Sequence, residues 1–239
     1  MAKNLKNKVV VITGGATGIG YEIADRFLSK GAKIIIILDI NEEEGKSATK
    51  KLNDKYGSSR SVFYKCDVTS DVDSTWTMLK DTYECIDVFV NNAGIVNEKI
   101  PKKAIDINVT ALIDWSLKFW EYHRTDKSNN GGTIINLASI YGFRVDQFIP
   151  VYQATKFAVM GFTKALGHEY NFKRTGVRVV AICPGFTKTN LTQNLSTFDE
   201  ETKRDSQAFL NDQQWQTVDA VGSAAIEVFE NAASGRVRR

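Results

Sequence analysis

The feature that most constrains the fold is a repeated alternation. Short uninterrupted runs rich in β-branched residues are separated by longer stretches with helical periodicity. The runs are Val9–Thr13, Lys33–Leu38, Val62–Lys65, Ile86–Val90, Thr133–Ala138 and Val177–Ile182. They are continuous rather than alternating, which predicts strands covered on both faces, the signature of a parallel sheet. The stretches between them supply the cover. Ile19, Ile23 and Phe27, with Ala24 and Leu28, share one helix face that closes at Gly31. Asn41 with Glu44 has the form of a capping box and opens a polar helix. Further helices are expected over Ser70–Tyr83, Lys102–Tyr122, Tyr152–Lys173 and Asp219–Glu230. Right-handed crossovers then give a doubly wound parallel α/β sheet in a single domain. Ligands of such sheets sit beyond the carboxyl ends of the strands, so the residues just after each run carry the functional information.

Composition narrows the function. Basic and acidic residues, 31 and 28 of 239, are interspersed and leave a formal charge of +3. No basic stripe of the kind that binds nucleic acid is present. No apolar stretch approaches the length of a membrane span, and no signal-peptide core follows the first residues. The three cysteines are scattered and form no CxxC, which fits reduced thiols in a cytoplasmic protein. The two histidines, His123 and His168, have no ligand-spaced partners, so no metal is expected.

The first strand ends in Thr13-Gly-Gly-Ala-Thr-Gly-Ile-Gly20. Gly14, Gly18 and Gly20 allow a tight turn and a close approach of the backbone to a pyrophosphate. Thr17 and Ile19 lie between them, and the following helix aims its N-terminal N–H groups at that phosphate. Asp39 ends the second strand, where a carboxylate accepts from ribose hydroxyls and repels a 2′-phosphate. No Arg or Lys stands in the loop or just after Asp39, so NAD is favoured over NADP. Asp67 and Val68 follow the third strand, at the place of an adenine. Asn91, Ala93 and Gly94 follow the fourth, where small residues and amides suit a backbone pressed against a cofactor.

Tyr152 and Lys156 are spaced i, i+4 and share a helix face. A tyrosine titrates near pH 10 in water, and a nearby ammonium lowers that value. A pair tuned this way can exchange a proton with an alcohol. Ser139 follows the fifth strand and can hold a substrate oxygen beside the phenol. Asn108 lies within the long helix, where a buried amide can hold a water. Pro184, Gly185, Phe186, Thr187 and Thr189 follow the sixth strand, with amides and hydroxyls for a nicotinamide carboxamide.

Together these residues make the chain resemble the short-chain dehydrogenase/reductase family from about residue 6 to residue 230. The resemblance implies a Rossmann-like fold, no metal, and a homodimer or homotetramer. It implies that Asn108, Ser139, Tyr152 and Lys156 form a catalytic tetrad. Lys156 would also hold the nicotinamide ribose, and Asn108 would anchor a relay water. Asn91–Glu98, Pro150–Lys156 and Ala181–Phe186 are similar to 15-hydroxyprostaglandin dehydrogenases. Gly131–Asn136 and Lys118–Glu121 resemble insect-type alcohol dehydrogenases. Ile149 stands where the prostaglandin branch carries a substrate-binding Gln, which argues against a prostaglandin. The expected reaction is NAD-dependent interconversion of a secondary, or apolar primary, alcohol and its carbonyl, with an apolar alcohol or ketone as the small-molecule partner.

The nucleotide-binding part is expected at about residues 6–130 and the catalytic and substrate part at about 131–239. Residues 191–216 read as a long polar excursion that can act as a lid, bringing Phe198, Phe209, Leu210 and Trp215 over the substrate. Only Arg236–Arg239 follow Gly235, so the last strand of the family pattern is expected to be clipped. Two alternatives stay open at this stage: an NADPH-preferring carbonyl reductase, and a catalytically silent nucleotide-binding protein.

Overall fold

Val10, Val11 and Ile12 of the first strand have no solvent exposure, and consecutive residues face opposite sides of the sheet. Val10 and Ile12 pack with Ile35, Ile37, Val88 and Val90 under helices on one face. Val9 and Val11 pack with Ile36, Leu38 and Phe89 on the other. This double burial is what the uninterrupted runs required.

The computed structural model describes residues 3–193 and 197–238. Seven parallel strands are β1 (Val9–Thr13), β2 (Ile34–Asp39), β3 (Ser61–Lys65), β4 (Val88–Asn91), β5 (Gly132–Leu137), β6 (Val177–Ile182) and β7 (Val237–Arg238). Their order is β3-β2-β1-β4-β5-β6-β7. The order reverses between β1 and β4, and the loops that follow these two strands diverge there and open a crevice. On the first face lie α1 (Gly18–Ser29), α2 (Glu42–Tyr56) and α10 (Val218–Asn231). On the second lie α3 (Val72–Thr82), α4 (Pro101–Ile105), α5 (Leu112–His123) and α6 (Pro150–Leu166). Three short or peripheral helices complete the set: α7 (Glu169–Thr175), α8 (Asn190–Gln193) and α9 (Glu200–Asn211).

Three local expectations change. The helix expected over Lys102–Tyr122 is interrupted by a π-helical turn, Asp106–Ala111, between α4 and α5. The helix expected over Tyr152–Lys173 breaks at Gly167. A Cβ there would stand 2.6 Å from both Gly235 N and Val179 O, so the chain must pass as glycine. His168 then restarts α7, its Nδ1 accepting the Tyr170 N–H at 3.2 Å. The 191–216 excursion contains α8 and α9, apart from residues 194–196, which lie outside the described residues. Asp199 caps α9 by accepting the Thr202 N–H at 2.7 Å. Its polar composition hid a face that buries Ser206 and Leu210. The last strand is short as expected: β7 has two residues, which pair with β6 through Ala181–Val237 and Ile182–Arg238.

His123 closes α5 inside an aromatic cluster. Its ring stacks 3.9 Å from that of Phe119, and Nδ1 meets the Phe119 carbonyl at 2.8 Å. Burial holds its pKa below the usual 6.5. The unfolded chain therefore takes up a proton before the folded one does. The stability contributed is present above pH 6.5 and is lost as pH falls through the lowered folded value. Urea midpoints should drop between pH 7.5 and pH 5, and His123→Phe should flatten that dependence.

Candidate active site

The crevice at the carboxyl ends of the strands is a cavity of about 740 Å³ that runs from Asp39 and Val68 to Tyr152 and Phe209. Gly14, Thr17, Gly18 and Ile19 form its floor behind β1. Gly14 and Gly18 have φ of 62° and 56°, a left-handed backbone that other residues rarely adopt. Asn92 holds this loop, its Nδ2 donating to Thr13 O at 3.1 Å and Gly14 O at 2.8 Å. Gly20 is not on the cavity wall. A Cβ on it would stand 2.3 Å from Gly14 O, so its role is to let α1 close against the loop.

Asp39 lines the cavity at the end of β2. Its Oδ2 accepts the Ala16 N–H and its Oδ1 the Asn41 N–H, both at 3.0 Å. The carboxylate therefore also ties the glycine loop to β2. Asp67 and Val68 line the same end. The Thr69 hydroxyl and N–H, both donating to Asp67 Oδ1, hold that carboxyl below the usual range. Ala93 and Gly94 are on the wall, but Asn91 is not. As the last residue of β4, Asn91 turns its side chain into the interior. There Nδ2 donates to Ser116 Oγ and Asn136 Oδ1, each at 2.9 Å. Asn92 takes the place at the cavity that the sequence reading assigned to Asn91. At the far side of the cavity Pro184, Gly185, Phe186, Thr187 and Thr189 line the wall. The strand-like contact between Thr187 and Gln216 fixes this segment.

Tyr152 lies in the first turn of α6 and Lys156 in the next, both buried and both on the wall. The Lys156 Nζ is 5.4 Å from the centroid of the Tyr152 ring and donates to Leu137 O at 2.8 Å. Ser139 opens a 3₁₀ turn, Ile140–Gly142, with its Oγ accepting the Tyr141 N–H at 3.2 Å. Burial pushes the Tyr152 phenol up to about 12, while the Ser139 hydroxyl pulls it down. Burial brings the Lys156 ammonium down to about 8. In the protein alone burial is the largest influence on the phenol, and it acts against the lowering expected from a nearby ammonium. The dry surroundings disfavour phenolate and ammonium alike.

Asn108 sits in the π-helical turn and is buried, off the cavity wall. Its Oδ1 accepts the Ile95 N–H and its Nδ2 donates to Ile95 O, both at 2.8 Å. Nδ2 also reaches Thr155 Oγ1 at 3.2 Å. The side chain is therefore a brace between the Ile95 segment and α6. Ile149 lines the cavity as expected. Trp215 does not. It packs behind Phe186 with ring centroids 5.7 Å apart and donates from Nε1 to Leu210 O at 2.9 Å. Phe209 and Leu210 of α9 reach the wall instead, and Phe209 packs against the cluster that contains Tyr152.

Sequence reasoning missed Glu98. This carboxylate is 1% exposed and accepts the Val151 and Tyr152 N–H groups, each at 2.9 Å. It caps α6 where the helix presents its positive end. It also joins α6 to the segment that carries Ile95 and Val96 onto the wall. It sits between Asn97 and Lys99 in a mixed polar stretch, and no spacing pattern singles it out. Tyr141 and Phe148 were missed too, because neither belongs to a spacing pattern.

The glycine-floored crevice at the switch point and the buried Tyr–Lys–Ser group define a nucleotide-dependent oxidoreductase of the doubly wound class. The short chain dehydrogenase model matches residues 8–200, and the chain belongs to that family. It is 34% identical over 194 residues to the 15-hydroxyprostaglandin dehydrogenases [NAD(+)] of Macaca fascicularis and Homo sapiens. Each match covers 80% of this chain and 73% of the relative. It is 31% identical over 240 residues to alcohol dehydrogenase 1 of Ceratitis cosyra, covering 98% of this chain and 91% of that one. Among solved structures, 3-ketoacyl-(acyl-carrier-protein) reductase from Brucella melitensis, complexed with NADH, superposes with a TM-score of 0.80 at 25% identity. That match covers 98% of this chain and 96% of the other. Levodione reductase superposes at 0.84 with 22% identity and the same coverage, a likeness of fold. Among the described residues no helix is long and apolar enough to cross a membrane. No cluster of His, Cys, Asp and Glu among them could hold a metal ion.

Proposed function

We propose that this oxidoreductase uses NAD to interconvert an apolar secondary alcohol and its ketone, with Tyr152 as the acid/base. The observation that carries the reading is the continuity of one cavity, from the glycine floor and Asp39 to the buried Tyr152, Lys156 and Ser139. The residues present fit a dinucleotide. The floor is built of backbone that a Cβ at Gly14 would block, meeting Ala93 Cα at 2.9 Å, and α1 points its N-terminus at it. The Asp39 carboxylate at the far end suits ribose hydroxyls and disfavours a 2′-phosphate.

Bound NAD would supply the hydride acceptor and a positive ring beside the phenol. The chain does the rest. Ser139 and Tyr152 hold the substrate oxygen from two sides. Tyr152 takes the hydroxyl proton during oxidation and returns it during reduction. Lys156 stands within reach to stabilise the phenolate, and Leu137 O keeps its ammonium in place. The wall that packs with Tyr152 is apolar, built of Ile149, Phe148, Phe186 and Phe209. The Arg144 guanidinium lies over the Phe186 and Phe209 rings, 5.6 Å from each centroid.

Absorbance of reduced nicotinamide should rise when purified protein meets NAD and a suitable secondary alcohol. NAD should bind at least about tenfold tighter than NADP, about 1.4 kcal/mol. Asp39→Asn, which keeps an acceptor for Ala16, should narrow that ratio. Tighter binding of NADPH by the unaltered protein would instead mark a carbonyl reductase and sink the role given to Asp39. We further take the protein to be a cytoplasmic homodimer or homotetramer. Such an assembly would cover Leu117 of α5 and Phe157 of α6, which are 42% and 43% exposed. Light scattering and cell fractionation test this directly.

A further inference from the structure

Tyr141 follows Ser139 in the 3₁₀ turn, buried on the cavity wall next to the reacting centre. Its ring stands edge-on to Tyr152, with centroids 6.2 Å apart and planes at 82°. It stands edge-on to Phe186 as well, at 5.9 Å and 88°. Its hydroxyl points away from the reacting oxygen and donates to Asp146 Oδ2. Asp146 is not on the wall, but it is held from several sides. Gln153, buried beside Tyr152, donates from Nε2 to Asp146 O and Oδ1, each at 3.0 Å, and accepts the Asp146 N–H at 3.2 Å. The Phe148 N–H adds a bond to Asp146 Oδ1 at 2.9 Å. The turn itself cannot slide toward α6. A Cβ on Gly142 would stand 2.4 Å from Met160 Cγ and 3.1 Å from Lys156 O.

Nothing in the proton chemistry needs this construction. The Tyr141 phenol is pushed up by burial and by Asp146, so it keeps its proton and remains a donor to that carboxylate. What it presents to the cavity is a ring fixed at both ends, wedged between two other aromatic rings and latched at its tip. A tyrosine ring without the latch can swing about its side-chain torsions. Here any swing breaks the bond to Asp146 and leaves a carboxylate short of a partner.

We propose that Tyr141 is a specificity-determining residue. Latched by Asp146 and Gln153, its ring limits the room for one of the two groups on the carbinol carbon. The site therefore takes secondary alcohols with one compact apolar group and turns away those that are bulky on both sides. The larger group extends toward Phe148 and Phe209, whose rings are 5.2 Å apart at the α9 side. This inference rests on the dehydrogenase reading above.

The test is a panel of secondary alcohols, from butan-2-ol to diphenylmethanol, with NAD. The readout is the ratio of kcat/KM for the bulkiest to the smallest, with NAD affinity measured alongside by fluorescence titration. Tyr141→Ala should raise that ratio at least tenfold, with NAD binding within twofold of the unaltered protein. Tyr141→Leu serves where the alanine variant does not fold. Tyr141→Phe keeps the ring and loses the latch, and should shift the ratio in the same direction by a smaller factor. Asp146→Ala, off the wall, should shift it likewise, but should add nothing in the Tyr141→Phe background. An unchanged ratio in Tyr141→Ala and Tyr141→Leu, with NAD still bound and alcohols still oxidised, overturns the assignment and leaves the dehydrogenase reading intact. No turnover of the panel by the unaltered protein overturns that reading and the Tyr141 assignment together.

Discussion

Tyr152→Phe is expected to lower kcat/KM for alcohol oxidation by about 10³-fold or more, the range of a lost acid/base group. NAD affinity should stay close to that of the unaltered protein. The substitution removes one oxygen from a buried ring whose backbone N–H is already held by Glu98. Folding and the glycine floor are therefore untouched, and the loss falls on proton transfer. The pH profile gives a second reading of the same group. Burial raises Tyr152 to about 12 and lowers Lys156 to about 8. Oxidation needs the phenolate to accept a proton, so its rate should rise with pH on the alkaline side. Reduction needs the phenol to donate one, so it should fall there. The apparent value belongs to the pair rather than to either residue. If Tyr152→Phe keeps most of its activity, or if the two directions share one pH dependence, Tyr152 is not the acid/base.

Gly20→Val is expected to weaken NAD binding by about 100-fold or more and to lower stability by about 1–3 kcal/mol. The reason is steric and local. A Cβ at this position would stand 2.3 Å from Gly14 O and 2.5 Å from Asn92 Nδ2. Either α1 must move away from the loop, or Asn92 must release Gly14. Both changes spoil the floor on which a pyrophosphate would rest. Gly161→Ala on α6 is the matched control. A Cβ there meets nothing within 4 Å, and a helix-interior Gly→Ala change is stabilising by about 0.5–1 kcal/mol. Equilibrium dialysis with NAD and thermal melts of both variants separate a specific effect from a general one. Unweakened NAD binding by Gly20→Val would show that α1 need not close against the loop.

Much of this architecture was legible before any contact was known. Five of the six runs reported double burial, the sixth being the partly buried edge strand β3, and all six became strands within a few residues of their expected ends. The glycine loop, Asp39, Ser139, Tyr152 and Lys156 were also readable, because each stands at a fixed offset from a strand end or from another member of the group. Gly167 was not readable as a helix break. The approach of Gly235 and Val179 that forbids a side chain there comes from distant parts of the chain. Helix α9 was hidden for a different reason. Its sequence is mostly polar, and its buried face has meaning only once the cavity beneath it exists.

The sequence by itself determined the doubly wound sheet, the glycine floor and the pairing of Tyr152 with Lys156, because these follow from periodicity and short-range spacing. Only the tertiary structure decided what neighbouring residues of similar type do. It sent Asn91 into the core and Asn92 to the loop, and it committed Asn108 to Ile95. It also put Trp215 behind Phe186 and Phe209 on the wall. The direction of the tyrosine shift was decided there as well. An ammonium at i+4 can be read from spacing, but desolvation is the sum of every element packed around the phenol. In this site that sum raises the phenol.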